Sequence, residues 1–202
     1  MIQNSWRDLP WLKQALEKKL NALQYFRKKI NEISDYYQDS KKNKGTSQNI
    51  EHEMLTELSF NFEAFLFEFE SALDIFLKLL LRKNHDERLY FTIATIEKIT
   101  PRDDYIESII KYWEEGIDQE KVYSLERANH YRNLAGHGGF LRIPIIISRG
   151  EEKPIYCLND NGKLINMVEF CEKMEKMLNY MRGITYPKVK YIMQKLRKQN
   201  ND

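Results

Sequence analysis

From Asn49 to Lys83 the chain contains neither proline nor glycine, and Leu58, Phe62, Phe65, Phe69, Leu73, Phe76 and Leu80 recur at intervals of three and four. That spacing is one face of an α-helix. At 1.5 Å per residue the helix would reach about 50 Å, while a compact domain of this length is only about 40 Å across. One rod thus spans the body, and the rest of the chain must be laid against it. Phe60, Leu66, Phe67, Leu77, Leu79 and Leu81 widen its apolar surface, which implies burial from several sides, by sister helices or by a second subunit. Glu63, Glu70 and Asp74 share a stripe within that surface. They are either a narrow solvent-facing strip or a place where a carboxylate meets a buried arginine.

The partners are legible on either side. Leu12, Leu16, Leu20, Leu23, Phe26, Ile30 and Ile33 mark a helix from about Leu9 to Tyr37. Lys18, Lys19, Arg27, Lys28 and Lys29 form its solvated side, and the polar stretch 39–48 reads as a loop. A helix over about Glu87–Ile99 should stop at Thr100-Pro101. Asp103-Asp104 should cap a helix ending at Gly116, and Asp118 one running through Val122 toward Gly136.

The pattern then changes. Leu141–Ile147 is β-branched and broken by Pro144, as on an edge strand, and 154–165 reads as a hairpin with an Asn161-Gly162 turn. The last helix, about 166–198, buries Met174, Met177 and Met181, with Gly183 and Pro187 interrupting it before a basic tail. That tail could touch phosphates or simply be solvated. The expected fold is mainly α: a helical bundle with long antiparallel helices and a small β-hairpin insertion before the C-terminal helix. It forms one domain over 1–202, with a core at about 10–139, the insertion at about 141–165 and the last helix after it.

Composition narrows the setting. No apolar run nears the ~18 residues that cross a bilayer, and the N-terminus lacks the layout of a secretory signal. No membrane association and a cytoplasmic location are expected. Cys157 and Cys171 are too few and too isolated for a disulfide framework or a zinc site. A net charge of +2 gives no global pull toward nucleic acid. His52 and His85 lack ligand partners at metal spacing, His130 reads as structural or rim, and Tyr36, Tyr37 and Trp113 as core or rim.

Chemistry concentrates at Arg132-Asn133-Leu134-Ala135-Gly136-His137, just before a glycine-rich exit. Asn133 and His137 are four apart and share a helix face, while Arg132 and His137 lie about 140° apart. A near-neutral histidine can exchange a proton with a ribose 2′-hydroxyl or a leaving oxygen. A guanidinium can make two charge-assisted hydrogen bonds to phosphate as charge builds, and an asparagine can orient the histidine or hold a phosphate oxygen. The trio suits metal-free cleavage of an RNA phosphodiester. The alternative is a salt-bridging arginine beside a helix-ending histidine.

With long apolar helices ahead of it, this Arg-Asn-x3-His stretch resembles the HEPN superfamily, helical-bundle domains many of which are metal-independent ribonucleases of toxin–antitoxin and antiviral systems. The resemblance covers about Pro10–Gly139. Gly139 departs from it, standing where many members have an aromatic. The resemblance implies an endoribonuclease needing no cofactor, with Arg132 and His137 as the catalytic pair and Asn133 in support. It implies a homodimer whose two motifs form one composite site, and an acidic helper on an early helix, for which Asp74 and Glu70 are the candidates. RNA would be the substrate, and an antitoxin or nucleotidyltransferase a possible partner. The other class of reading is a non-catalytic helical module that binds a protein partner in such a system.

Overall fold

The computed structural model describes residues 9–44, 48–81, 90–98, 104–116, 121–136, 145–146, 155–160 and 163–199. The fold is a mainly α helical bundle. Its frame is three long helices: α1 (Leu9–Lys44), α2 (Gln48–Leu81) and α6 (Met167–Gln199). Three residues separate α1 from α2, and a Lys19 Nζ–Glu68 Oε2 ion pair of 3.0 Å fixes their antiparallel register. α6 runs antiparallel to α1. Arg27 reaches Glu172 and Glu175 near the start of α6, while Arg182 further along it reaches back to Glu17.

α1 buries the leucine and isoleucine stripe expected of it. α2 buries Phe62, Phe65, Phe69 and Phe76 completely, together with Leu58, Leu66 and Leu77. Each such side chain is worth about 1.5–3 kcal/mol of transfer free energy. Burial over so wide an arc follows from α2 being flanked by α1, α6 and α5 (Leu125–Gly136). Phe170 of α6 ties three elements together. Its ring centroid lies 5.9 Å from that of Phe62, 6.3 Å from Tyr123 and 5.4 Å from Tyr131. Met174, Met177 and Met181 are buried core, as their spacing predicts.

Between α2 and α5 lie α3 (Ile93–Ile96) and α4 (Asp104–Glu114). α4 stops as anticipated, with Gly116 at φ 76°, a left-handed value that favours glycine. A small antiparallel sheet precedes α6, made of β1 (Ile145–Ile146), β2 (Ile155–Asp160) and β3 (Lys163–Asn166) in the order β1-β2-β3. Asp160 pairs with Lys163, so Asn161 and Gly162 alone join the hairpin strands, and β1 takes the expected edge position. Asn166 Oδ1 then caps α6 by accepting the N–H of Val168 at 3.0 Å and of Glu169 at 3.2 Å.

Several boundaries differ from the sequence reading. α1 continues to Lys44, through most of the expected loop. No proline or glycine stands between Leu12 and Lys44 to stop the helix earlier. The helix expected over 87–99 is, within the described residues, one turn. Thr92 initiates it, accepting the Thr95 N–H through Oγ1 and carbonyl and the Ile96 N–H through its carbonyl. β-Branched Thr92, Ile93, Thr95 and Ile96 do little to prolong it. Ser124 caps α5, its hydroxyl accepting the Arg127 N–H at 3.2 Å, after a 3₁₀ turn at Lys121–Tyr123; Asp118 lies outside the described residues. α6 runs unbroken through Gly183 and Pro187. A proline at 187 removes the bond to the Gly183 carbonyl and crowds that carbonyl, which weakens the helix without ending it, and Gly183 has open space where a Cβ would stand. Nor is the basic side of α1 merely solvated. Arg27 Nε lies 2.7 Å from Oε2 of buried Glu175, a close ion pair without good hydrogen-bond alignment.

No described helix is long and apolar enough to cross a membrane.

Candidate functional site

The second half of α5 lies against the middle of α2, and Arg132 bridges them. Its Nε is 2.7 Å from Glu70 Oε2. The contact is an ion pair whose angle departs from that of a good hydrogen bond. Nη1 of the same guanidinium donates to Asn133 Oδ1 at 3.0 Å, and the group stands 5.5 Å from the centroid of the Phe67 ring. Asn133 is held in turn, its Nδ2 donating to Asn129 Oδ1 at 3.4 Å. A carboxylate, an amide and a ring face thus restrain one arginine whose side chain keeps 34% of its exposure. Asn133 orients the arginine, a role the sequence reading did not assign to it.

Sequence order explains why these groups meet. Ser124 starts α5, and buried Leu125, Ala128 and Tyr131 turn one face of it into the core. Asn129, Arg132 and Asn133 fall on the flank of that face, half-buried. On α2, Glu70 follows Phe67 by three residues and precedes Asp74 by four, so all three lie along one side of the helix. Of the two readings of the acidic stripe, a carboxylate meeting an arginine holds at Glu70. Glu63 instead accepts a hydrogen bond from Ser59 Oγ at 3.4 Å.

Burial sets the electrostatics. Desolvation pushes the Glu70 carboxyl up to about 6, against the pull of Arg132 and with a push from Asp74. Asp74 is likewise raised by burial, offset by the Phe91 N–H, Lys78 and Arg132. Asp74 Oδ1 accepts that N–H at 2.7 Å. It therefore pins the segment before α3 and acts on Arg132 only through its charge.

His137 lies outside the described residues, as does His85. His130 is exposed, its ring 5.7 Å from that of Tyr131, and His52 is exposed as expected. Trp113 and Cys171 are buried, Cys171 as a free thiol, and Tyr36 is exposed. Sequence reasoning missed Asn129 and Phe67 as neighbours of the arginine. The i, i+4 spacing of Asn129 and Asn133 was the available signal for the first. Among the described residues no group of three or more His, Cys, Asp or Glu side chains could hold a metal ion.

Three large apolar side chains on α2 and α5 are exposed. Phe67 is 42% exposed, Phe60, seven residues earlier on α2, 66%, and Leu134 39%. The arrangement can therefore present a restrained cation against an exposed aromatic ring. No family model, curated protein or solved structure matches this chain.

Proposed function

We propose that the chain is a HEPN-like, metal-independent endoribonuclease of a toxin or antiviral defence system. In this reading Arg132 binds the scissile phosphate and His137 moves the proton as the ribose 2′-hydroxyl attacks phosphorus. The P–O5′ bond breaks, the proton passes to the departing 5′ oxygen, and a 2′,3′-cyclic phosphate and a 5′-hydroxyl remain. The observation that carries it is the restraint of Arg132 at the close of α5, five residues before His137, by Glu70 and Asn133. A guanidinium aimed in advance spends less entropy on gripping phosphate, and negative charge on the phosphate draws it as the carboxylate does.

The exposed side chains of Phe60, Phe67 and Leu134 support a second copy of the chain docking beside the site. Two Arg132/His137 pairs would then share one groove. Incubation of RNA with the purified chain in EDTA tests the activity. Wild type degrades the RNA, and Arg132→Ala and His137→Ala do not; equal cleavage by all three removes the assignment.

A second reading rests on the same side chains. A cation already neutralised by Glu70 at the rim of exposed aromatics also suits a non-catalytic module that binds a protein, such as an antitoxin or a nucleotidyltransferase. Binding of such a partner that is lost with Phe60→Ser and Phe67→Ser, yet indifferent to alanine at Arg132 and His137, would favour that reading.

A further inference from the structure

Trp11, Gln14, Lys18, Asn21, Tyr25 and Lys28 follow one another along α1 at alternating intervals of three and four. That spacing sets them in a single stripe, and every one of them is exposed. Trp11 keeps 52% of its exposure and Tyr25 55%. The one acid in the span, Glu17, is turned toward α6, where Arg182 Nη1 meets its Oε2 at 3.3 Å. Lys19 and Arg27 are also drawn off the stripe, to Glu68 and Glu175. The stripe itself consists of two aromatic rings, two amides and two ammonium groups. By contrast, the exposed side chains among the described residues of α2 include Glu53 and Glu57 and no lysine or arginine.

The local geometry couples ring to cation. Phe26 packs edge-on against Tyr25, with ring centroids 5.3 Å apart, and steadies it. Lys29 Nζ lies 5.9 Å from the centroid of the Tyr25 ring. A π-face and a positive charge are thus presented together, as the base and phosphate of one nucleotide require. The first carboxylate on the stripe is Glu32, which Lys28 and Lys29 share at 3.6 and 2.8 Å. Exposed pairs of this kind are weakly held, and another anion can replace the carboxylate. Lys19 and Arg132 meet carboxylates two residues apart on α2, Glu68 and Glu70, about 200° around that helix. α1 and α5 therefore flank α2 on opposite sides, and the stripe is a surface separate from Arg132.

We infer that the stripe from Trp11 to Lys28 is a binding site for single-stranded nucleic acid, with bases stacked on Trp11 and Tyr25 and phosphates held by Lys18 and Lys28. Charge complementarity and the mixture of groups select the occupant. Lysines with no carboxylate between them match a chain of phosphates. The rings stack on unpaired bases, and the amides of Gln14 and Asn21 both donate to and accept from base edges. A duplex keeps its base faces inside its own stack and offers these rings nothing to cover. The stripe spans 17 residues, about 25 Å, which is room for about seven nucleotides at about 3.4 Å each. A lipid surface requires an apolar face free to insert, whereas the apolar face of α1 is committed to the core. The site goes beyond the cleavage reading, because it needs neither Arg132 nor His137.

The test uses the full-length chain carrying His137→Ala, so that no cleavage depletes the probe, and a fluorescein-labelled single-stranded RNA of about 12 nucleotides. Anisotropy titrations across a salt series should give a log–log slope of about −1.4 or steeper, since each phosphate contact contributes about −0.7. Trp11→Ala with Tyr25→Ala should weaken binding about tenfold or more and leave the slope unchanged, because stacking displaces no counterion. Lys18→Gln with Lys28→Gln should flatten the slope by about 1.4. Trp11→Phe with Tyr25→Phe should keep the affinity within about threefold. Exposed positions tolerate such changes, and circular dichroism checks that each variant is folded. Retention of affinity by the folded double-alanine variant overturns the site, as does a parent slope shallower than about −1.4, which needs no variant. A duplex of the same length bound as tightly as the single strand also overturns it. So does polyphosphate competing as well as RNA, or a preference for phosphatidylserine vesicles. RNA binding through the stripe without any cleavage by wild type would sink the nuclease and leave the site, and cleavage with binding indifferent to the stripe would do the reverse.

Discussion

Glu70 on α2 and Arg132 on α5 meet at 2.7 Å, and the carboxyl that makes this contact is raised to about 6 because burial opposes its charge more than the arginine supports it. The pair is therefore under opposing demands. Glu70 aims the guanidinium and also competes with any phosphate that approaches it. Removing either partner leaves the other half-buried and uncompensated.

The first prediction concerns that restraint. Glu70→Ala should lower RNA cleavage at least about tenfold through loss of aim, and destabilise the fold by about 1–3 kcal/mol. Single-turnover rates and urea melts check it. Cleavage at the wild-type rate would mean that the carboxylate does not position Arg132 for reaction.

The second concerns pH. A carboxyl whose pKa is higher folded than unfolded binds its proton more tightly in the native state, so its stabilising contribution is present below pH 4.5 and is lost as pH rises through about 6. Asp74, raised by burial, acts in the same direction. Wild type should thus lose stability between pH 4.5 and 6.5 relative to Glu70→Gln, which lacks the titration. Parallel stability curves for the two proteins would contradict the environment described for Glu70.

The third concerns the α1–α6 clamp. Glu175 is buried against Arg27, and Glu175→Ala should cost about 2 kcal/mol, softened because Arg27 retains Glu172 at 3.4 Å. A chemical denaturation midpoint unchanged from wild type would remove the clamp from the account.

The fourth concerns Gly116. Its φ of 76° is left-handed, so Gly116→Ala should destabilise by about 1–2 kcal/mol without touching Arg132. Thermal melting measures this, and a neutral substitution would show that the turn relaxes.

What the sequence disclosed follows from which interactions are local. The phenylalanine stripe of α2, the methionines of α6 and the Asn-Gly hairpin are written in spacing and turn chemistry, so they were legible. The extension of α1 to Lys44 and the passage of α6 through Pro187 were not, because polar residues and one proline weaken a helix without forbidding it. Arg27 looked solvated because its partner Glu175 lies 148 positions away, a separation at which no periodic pattern speaks. At the site, the stripe of Glu63, Glu70 and Asp74 left open a solvent-facing strip or a carboxylate meeting a buried arginine, and Glu70 meets half-buried Arg132 at 2.7 Å. The backbone bond from Phe91 to Asp74 depends on how the chain returns to α2, which side-chain pattern does not encode.

In the proposed reaction Arg132 helps a ribose hydroxyl attack its neighbouring phosphorus. An oligodeoxynucleotide carrying a single ribose, incubated with the protein in EDTA and analysed by mass spectrometry, measures this directly. The expected result is one cut, 3′ to that ribose, leaving a 2′,3′-cyclic phosphate, and no product with Arg132→Ala. Cleavage of the all-deoxy strand, or the same product from Arg132→Ala, would contradict it.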